Sequence, residues 1–247
     1  MFFFNIRDGC LKYISMKKSL GVVVLLFVCA CLSAQKTDIM KVANLERYAG
    51  SNEKLLSQKV KRPVVVFMGN SITEGWVRIR PDFFSSNNYI GRGIKGQTSS
   101  QMLLRFRHDV LALHPDMVVI NAGTNDIAEN TGEYDLNFTL GNIESMAEIA
   151  RANGIKVILT SVLPAVGFGW NPDISGVSGK IDELNREIRA YAEKRGILYV
   201  DYNSGMRKDD GAMVNEYSRD GVHPTGKGYE IMEQRIKPVI DSVLKDK

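Results

Sequence analysis

Val64-Val65-Val66-Phe67-Met68, followed by Gly69-Asn70-Ser71-Ile72-Thr73, is the stretch that decides the fold. Five apolar residues stand in a row and three are β-branched. The run is too short for a helix and does not alternate, so it reads as a strand buried on both faces. A glycine and small polar residues close it, which marks a tight turn at the strand's carboxyl end.

Working outward, the same unit recurs. Tyr89 to Ile94 is a second, weaker strand, Met117 to Ile120 a third, Lys156 to Val162 a fourth and Leu198 to Tyr202 a fifth. Helical patterns lie before and between them. Residues 38–58 lead in. Thr98 to Leu113 carries Met102, Leu103, Phe106, Val110 and Leu113 at helical spacing. Residues 135–153 stop at Gly154, residues 179–195 stop at Gly196, and residues 225–245 close the chain with Pro238 expected to kink them. Five apolar strands alternating with helices predict a parallel sheet covered on both sides. Right-handed crossovers make it a three-layer α/β/α sandwich with a five-stranded, flavodoxin-like doubly wound sheet. With no repeat, no low-complexity stretch and no linker, residues 35–247 read as one domain.

The first 34 residues read differently. Lys17 and Lys18 precede an apolar run from Leu20 to Leu32, followed by Ser33, Ala34 and a polar stretch. This is the pattern of a signal peptide cleaved after Ala34, with Met16 as an alternative start. The run falls short of the ~20 residues of a spanning helix, so no integral span is expected in the mature chain. Export to a periplasm or the medium follows. Lipid attachment at Cys31 is the less favoured variant, because no small polar run follows it. All three cysteines (Cys10, Cys29 and Cys31) fall in this leader. The body therefore has no disulfide, no thiolate zinc site and no cysteine nucleophile. Beyond residue 34 the chain holds 28 basic and 27 acidic residues. That balance gives no electrostatic argument for nucleic acid or an anionic membrane as partner.

In open parallel sheets, ligands bind beyond the carboxyl ends of the strands. Four small, polar, glycine-containing segments fall there. They are Gly69-Asn70-Ser71-Ile72-Thr73, Gly93-Ile94-Lys95-Gly96-Gln97-Thr98, Asn121-Ala122-Gly123-Thr124-Asn125-Asp126 and, late in the chain, Asp220-Gly221-Val222-His223-Pro224. The topology alone sends all four to one edge of the sheet.

In order and placement these segments resemble the SGNH, or GDSL-type, hydrolase superfamily, from Val64 to about Ile240. Gly-Asn-Ser-Ile stands where that family usually has Gly-Asp-Ser-Leu, and Gln97 replaces a frequent Asp. The wider string GNSITEGW is similar to the platelet-activating-factor acetylhydrolase-like and carbohydrate O-acetylesterase-like branch. The resemblance implies Ser71 as nucleophile, His223 as its base and Asp220 as the third member of a triad. It implies the Ser71 and Gly96 N–H groups and Asn125 as an oxyanion hole.

The residue chemistry agrees with these roles. Ser71 follows a strand-to-helix turn, near the positive end of the next helix, although Ser71-x-x-Glu74 also fits a capping box. Pro224 holds His223 out of helical geometry and can open the last helix. Asp220, three residues earlier, can fix the imidazole tautomer. Gly96 lets the main chain approach closely and Asn125 can offer a side-chain amide, although both residues are common in turns. Asp126 is expected to brace the Asn125 turn. No metal or organic cofactor is called for, since HExxH, P-loop and dinucleotide fingerprints are all missing.

Trp76, just after the nucleophile turn, and Phe168 and Trp170, in the long loop after the fourth strand, are candidates for lining a substrate pocket; packing is the competing role for both tryptophans. No long apolar loop suggests a fatty-acid tunnel. The expected substrate is a small-molecule or glycan ester with a short acyl group, acetyl foremost. A lysophospholipase or thioesterase with longer acyl preference is the alternative within hydrolases. A catalytically silent exported binding module is the alternative from another class.

Overall fold

A computed structural model describes residues 38–58 and 62–244, so the leader reading lies outside the described residues. From Met40 onward the chain forms one compact unit. Its centre is a five-stranded sheet, β1 (Val65–Gly69), β2 (Tyr89–Gly93), β3 (Met117–Ile120), β4 (Lys156–Thr160) and β5 (Leu198–Val200). The order is β2-β1-β3-β4-β5 and every pairing is parallel. This is the doubly wound, flavodoxin-like order, with its switch point between β1 and β3.

Alternation along the strands builds the two outer layers. Val66, Met68, Val118, Ile120, Val157 and Leu159 face one core; Val65, Phe67, Met117, Val119 and Ile158 face the other. Three helices cover the first face: α5 (Ser99–Asp109), α7 (Leu136–Ala152) and α8 (Val177–Arg195). Another three cover the second: α3 (Ser71–Ile79), α4 (Pro81–Ser85) and α9 (Gly226–Leu244). Each fully buried aliphatic side chain contributes about 1.5–3 kcal/mol, so the apolar runs that mark the strands also anchor the layers. A short helix, α6 (Thr124–Ile127), follows β3. Among the described residues no helix is long and apolar enough to cross a membrane.

The structure departs from the sequence reading in three places. Residues 38–58 are not one helix but α1 (Ile39–Ala43), a 3-10 turn at Leu45–Arg47 and α2 (Ala49–Ser57). Asn44 breaks them apart in the left-handed region, with φ 53°. The helix expected over Thr98 to Leu113 ends at Asp109 and tightens into a 3-10 turn at Leu111–Leu113. The last helix opens at Gly226, two residues beyond Pro224. There the Thr225 hydroxyl accepts from the Gly228 N–H, and the helix continues through Pro238.

Candidate active site

Ser71 is the first residue of α3, at the carboxyl end of β1. The helix is capped by Asn70, whose side-chain oxygen accepts from the Ile72 N–H at 3.0 Å. The capping box suggested by Ser71 and Glu74 does not form. Glu74 instead accepts from Arg47 at 2.9 Å and from the Lys95 N–H at 3.0 Å. Ser71 Oγ is thereby left for another partner, and it lies 2.9 Å from His223 Nε2. The two residues are 152 positions apart in the chain, so only the fold joins them.

His223 sits in a turn organised by Asp220. One Asp220 oxygen accepts from the Val222 and His223 N–H groups at 3.0 and 2.8 Å, and the other lies 2.6 Å from His223 Nδ1. Gly221 between them has φ +81°. Burial pushes the Asp220 carboxyl up, but the His223 N–H, the His223 ring and the Val222 N–H outweigh it and bring it down to about 2. A carboxylate can only accept, so Nδ1 carries the ring proton in the neutral imidazole and Nε2 is free to accept from Ser71. A hydroxyl held in this way can lose its proton as it attacks an electrophilic carbon.

Two further segments meet beside this relay. Gly93, at the end of β2, is pressed against the turn that carries Ser71: a Cβ there would stand 2.2 Å from the Glu74 N and 2.6 Å from the Asn70 O. A side chain would push β2 off α3. Gly96 has φ +79°, a backbone state that costs other residues strain. Its carbonyl accepts from Asn130 Nδ2 at 2.9 Å, and among the described residues no protein group accepts from its N–H. Asn125 is buried, and its amide donates to the Gln97 carbonyl at 2.9 Å, which ties the turn after β3 to the loop after β2. Asp126 braces the Asn125 turn as expected, accepting from the Gly123 N–H, and reaches further as well. Its carboxylate accepts from the Ser99 N–H at 3.0 Å and from the Ser99 hydroxyl, holding the start of α5.

Two residues that the sequence reading passed over tie these segments together. Arg105 on α5 is fully buried. Its guanidinium donates to the Gly69 carbonyl at 2.9 Å, the Arg92 carbonyl at 3.0 Å, Gln97 Oε1 and Asp109 at 2.9 Å. It thus bolts the strand end before Ser71 to the loop that carries Gly96. The available signal was a charge at Arg105 and another at Asp109, both on the apolar stripe of Met102, Phe106 and Val110. Asn130 is the second. It donates to Gly96 O and its own oxygen accepts from Trp170 Nε1 at 2.9 Å.

The three aromatic candidates separate. Trp170 is 46% exposed and its ring centroid stands 5.9 Å from that of His223. Phe168 is buried and supports Trp170 from behind, ring centroids 5.1 Å apart. Trp76 does not line the cleft. It is stacked between Phe83 and Tyr229, with interplanar angles of 7° and 17°, and its indole N–H donates to Glu233 at 3.1 Å. Five aromatic rings, of Phe67, Phe83, Phe84, Tyr202 and Tyr229, hold it in the core, and Glu233 satisfies its polar edge.

The cleft beside Ser71 has a volume of about 740 Å³, and Asp220, His223, Tyr48 and Arg78 are among the residues that line it. Residues 67–231 match the family model described as GDSL-like lipase/acylhydrolase. The chain is 57% identical to a GDSL-like lipase from Bacteroides thetaiotaomicron whose structure has been solved. That likeness covers 82% of this chain and 100% of the other, with a TM-score of 0.80. It is 27% identical over 151 residues to an acetylxylan esterase from Xylanibacter ruminicola, covering 53% of this chain but only 30% of that longer protein. It is also 25% identical over 202 residues to esterase TesA from Pseudomonas aeruginosa, covering 77% of this chain and 94% of the relative. With two thirds of its length matched by the family model and the fold shared with a solved member, the chain belongs to the GDSL-like lipase/acylhydrolase family.

Proposed function

We propose that the protein is an exported serine esterase that removes a short acyl group, acetyl foremost, from a carbohydrate alcohol. The observation that carries this reading is the hydrogen-bonded relay from Ser71 through His223 to Asp220, 2.9 and 2.6 Å long. Ser71 attacks the ester carbonyl while His223 Nε2 takes its proton, and Asp220 steadies the imidazolium that forms. The tetrahedral oxyanion is received by the N–H groups of Ser71 and Gly96 and by the Asn125 amide, each donor worth about 3 kcal/mol in the transition state. His223 then protonates the leaving alcohol, and water hydrolyses the acyl-enzyme by the same route. Asn130 and Trp170 orient the Gly96 peptide from behind.

The short acyl group is supported by the likeness to an acetylxylan esterase. Export is supported by the leader pattern before residue 35. The test is a chain-length series on p-nitrophenyl esters. We expect kcat/KM for acetate to exceed that for decanoate by about tenfold or more, the discrimination that an acetyl-selective site requires. Decanoate as the fastest substrate would overturn the acetyl assignment and favour a longer-chain acylhydrolase. No turnover of any aryl ester would favour a silent binding module.

Asp220 gives a second expected outcome. Its half-exposed carboxylate should matter less than a buried triad acid, where the amide costs about 10⁴ in kcat. Asp220→Asn should therefore lower kcat by about 10² with KM little changed. Because the carboxyl sits at about 2 in the folded chain, it keeps its charge from pH 4 to 9 and puts no break in the rate profile there. The sign for stability follows from the same depression. The contribution is present above the ordinary carboxyl range near pH 4 and is lost as pH falls toward 2. The gap in melting temperature between wild type and Asp220→Asn should close over that interval. A gap that widens on acidification would contradict the assignment.

A further inference from the structure

The wall of the cleft carries a charge pattern that ester hydrolysis by itself does not need. Three cations line it, Arg47, Arg78 and Lys95, against two acids, Glu74 and Asp220. Both acids are engaged. Glu74 binds Arg47 at 2.9 Å and the Lys95 main-chain N–H at 3.0 Å, and Asp220 is turned onto His223. Arg78 is exposed and, among the described residues, its guanidinium makes no ion pair or hydrogen bond; the Lys95 ammonium is likewise unanswered.

Arg78 is also placed with respect to Ser71. The two are seven residues apart on α3, which is two turns, so they share one face about 10 Å apart along the axis. Gly75, between them on that face, projects no side chain into the cleft. Ser71 and Arg78 thus open onto the same cleft, with the Tyr229 hydroxyl packed over Gly75 between them.

We propose that Arg78, assisted by Lys95, forms an anion subsite, and that the preferred substrate is an acyl ester whose alcohol carries a carboxylate, such as an acetylated acidic sugar. The inference rests on the esterase reading above and names its substrate class. An acetyl group ends at its methyl and cannot itself bear the charge, so the anion belongs to the leaving alcohol, about one ring away. Guanidinium binds carboxylate with two parallel hydrogen bonds, which gives orientation as well as attraction. Electrostatic attraction between exposed groups is screened by salt, so the preference should be salt-sensitive.

The experiment compares 4-acetoxybenzoate with its neutral methyl ester in wild type, Arg78→Gln and Arg78→Glu. Within each pair the acetyl group and the aryl ring are the same, and intrinsic reactivity cancels when one enzyme's ratio is divided by another's. The ratio of kcat/KM, acid over methyl ester, should fall about tenfold in Arg78→Gln and further in Arg78→Glu, with the change carried mainly by KM. In wild type the ratio should decline between about 20 and about 500 mM NaCl. A ratio constant within twofold across the three proteins, while all three hydrolyse the methyl ester, would overturn the subsite and leave the esterase reading standing. A wild type inactive on both esters would overturn the esterase reading and the subsite with it.

Discussion

Ser71→Ala should abolish ester hydrolysis, lowering kcat by about 10³–10⁶-fold, and should eliminate covalent labelling by a fluorophosphonate probe. The expected loss is large because in the proposed mechanism the serine oxygen forms the acyl-enzyme. Without it, only the oxyanion donors and the binding groups remain, and a related triad stripped of its members retains about 10³–10⁴-fold over water. The fold should survive. Asn70, not Ser71, caps α3 through the Ile72 N–H, and the hydroxyl's bond is to a partly exposed imidazole rather than to the core. The melting temperature should therefore stay within about 2 °C, which corresponds to less than about 1 kcal/mol in a domain of this size. Mass mapping of the wild-type adduct completes the experiment. An adduct on any serine other than Ser71, or an alanine variant that retains more than about one per cent of kcat, would remove Ser71 from the mechanism.

Much of this site was legible because it follows from short-range rules. The strand runs are apolar since both faces of a parallel sheet are buried, and the topology then sends Ser71, Gly96, Asn125 and His223 to one edge. Residues whose role depends on a distant partner were harder to read. Trp76 follows the turn that carries Ser71 and was a candidate for lining the substrate pocket, but its neighbours are Phe83, a helix away, and Tyr229, near the other end of the chain. Phe168 and Trp170 are two residues apart in one loop, yet only Trp170 is exposed and reaches the His223 ring, and Phe168 is its support. The capping box at Ser71 was a correct local pattern defeated by a better local competitor, Asn70, and by Arg47, which draws Glu74 away from the helix end. Asn130 gave no local signal, since an asparagine before Thr131-Gly132 reads as a turn.

Arg105 is the clearest case of a long-range role, and its loss should have the largest effect on stability. Its guanidinium is fully buried and paired with Asp109 at 2.9 Å, and it also holds the carbonyls of Gly69 and Arg92. Burial pushes the guanidinium below its ordinary value, and the charge of Asp109 opposes that shift. Arg105→Met keeps the approximate length of the side chain but leaves a buried carboxylate and two carbonyls short of donors. Breaking a buried pair from one side costs about 3–5 kcal/mol, which at 2–4 °C per kcal/mol lowers the melting temperature by about 6–20 °C. The pair should be replaceable, because two apolar residues of similar volume often match or exceed a buried ion pair. Arg105→Met combined with Asp109→Leu should regain most of that melting temperature. It should not regain turnover. The bonds to Gly69 and Gln97 hold the strand end before Ser71 against the loop that carries Gly96, and neither apolar residue can make them. We expect kcat to remain about tenfold or more below wild type in both variants, with KM for p-nitrophenyl acetate changed far less, because a misplaced oxyanion donor weakens the transition state more than the ground state. If the double variant recovers stability and kcat together, Arg105 is structural support alone. If stability returns and kcat does not, it is the residue that keeps nucleophile and oxyanion loop in register.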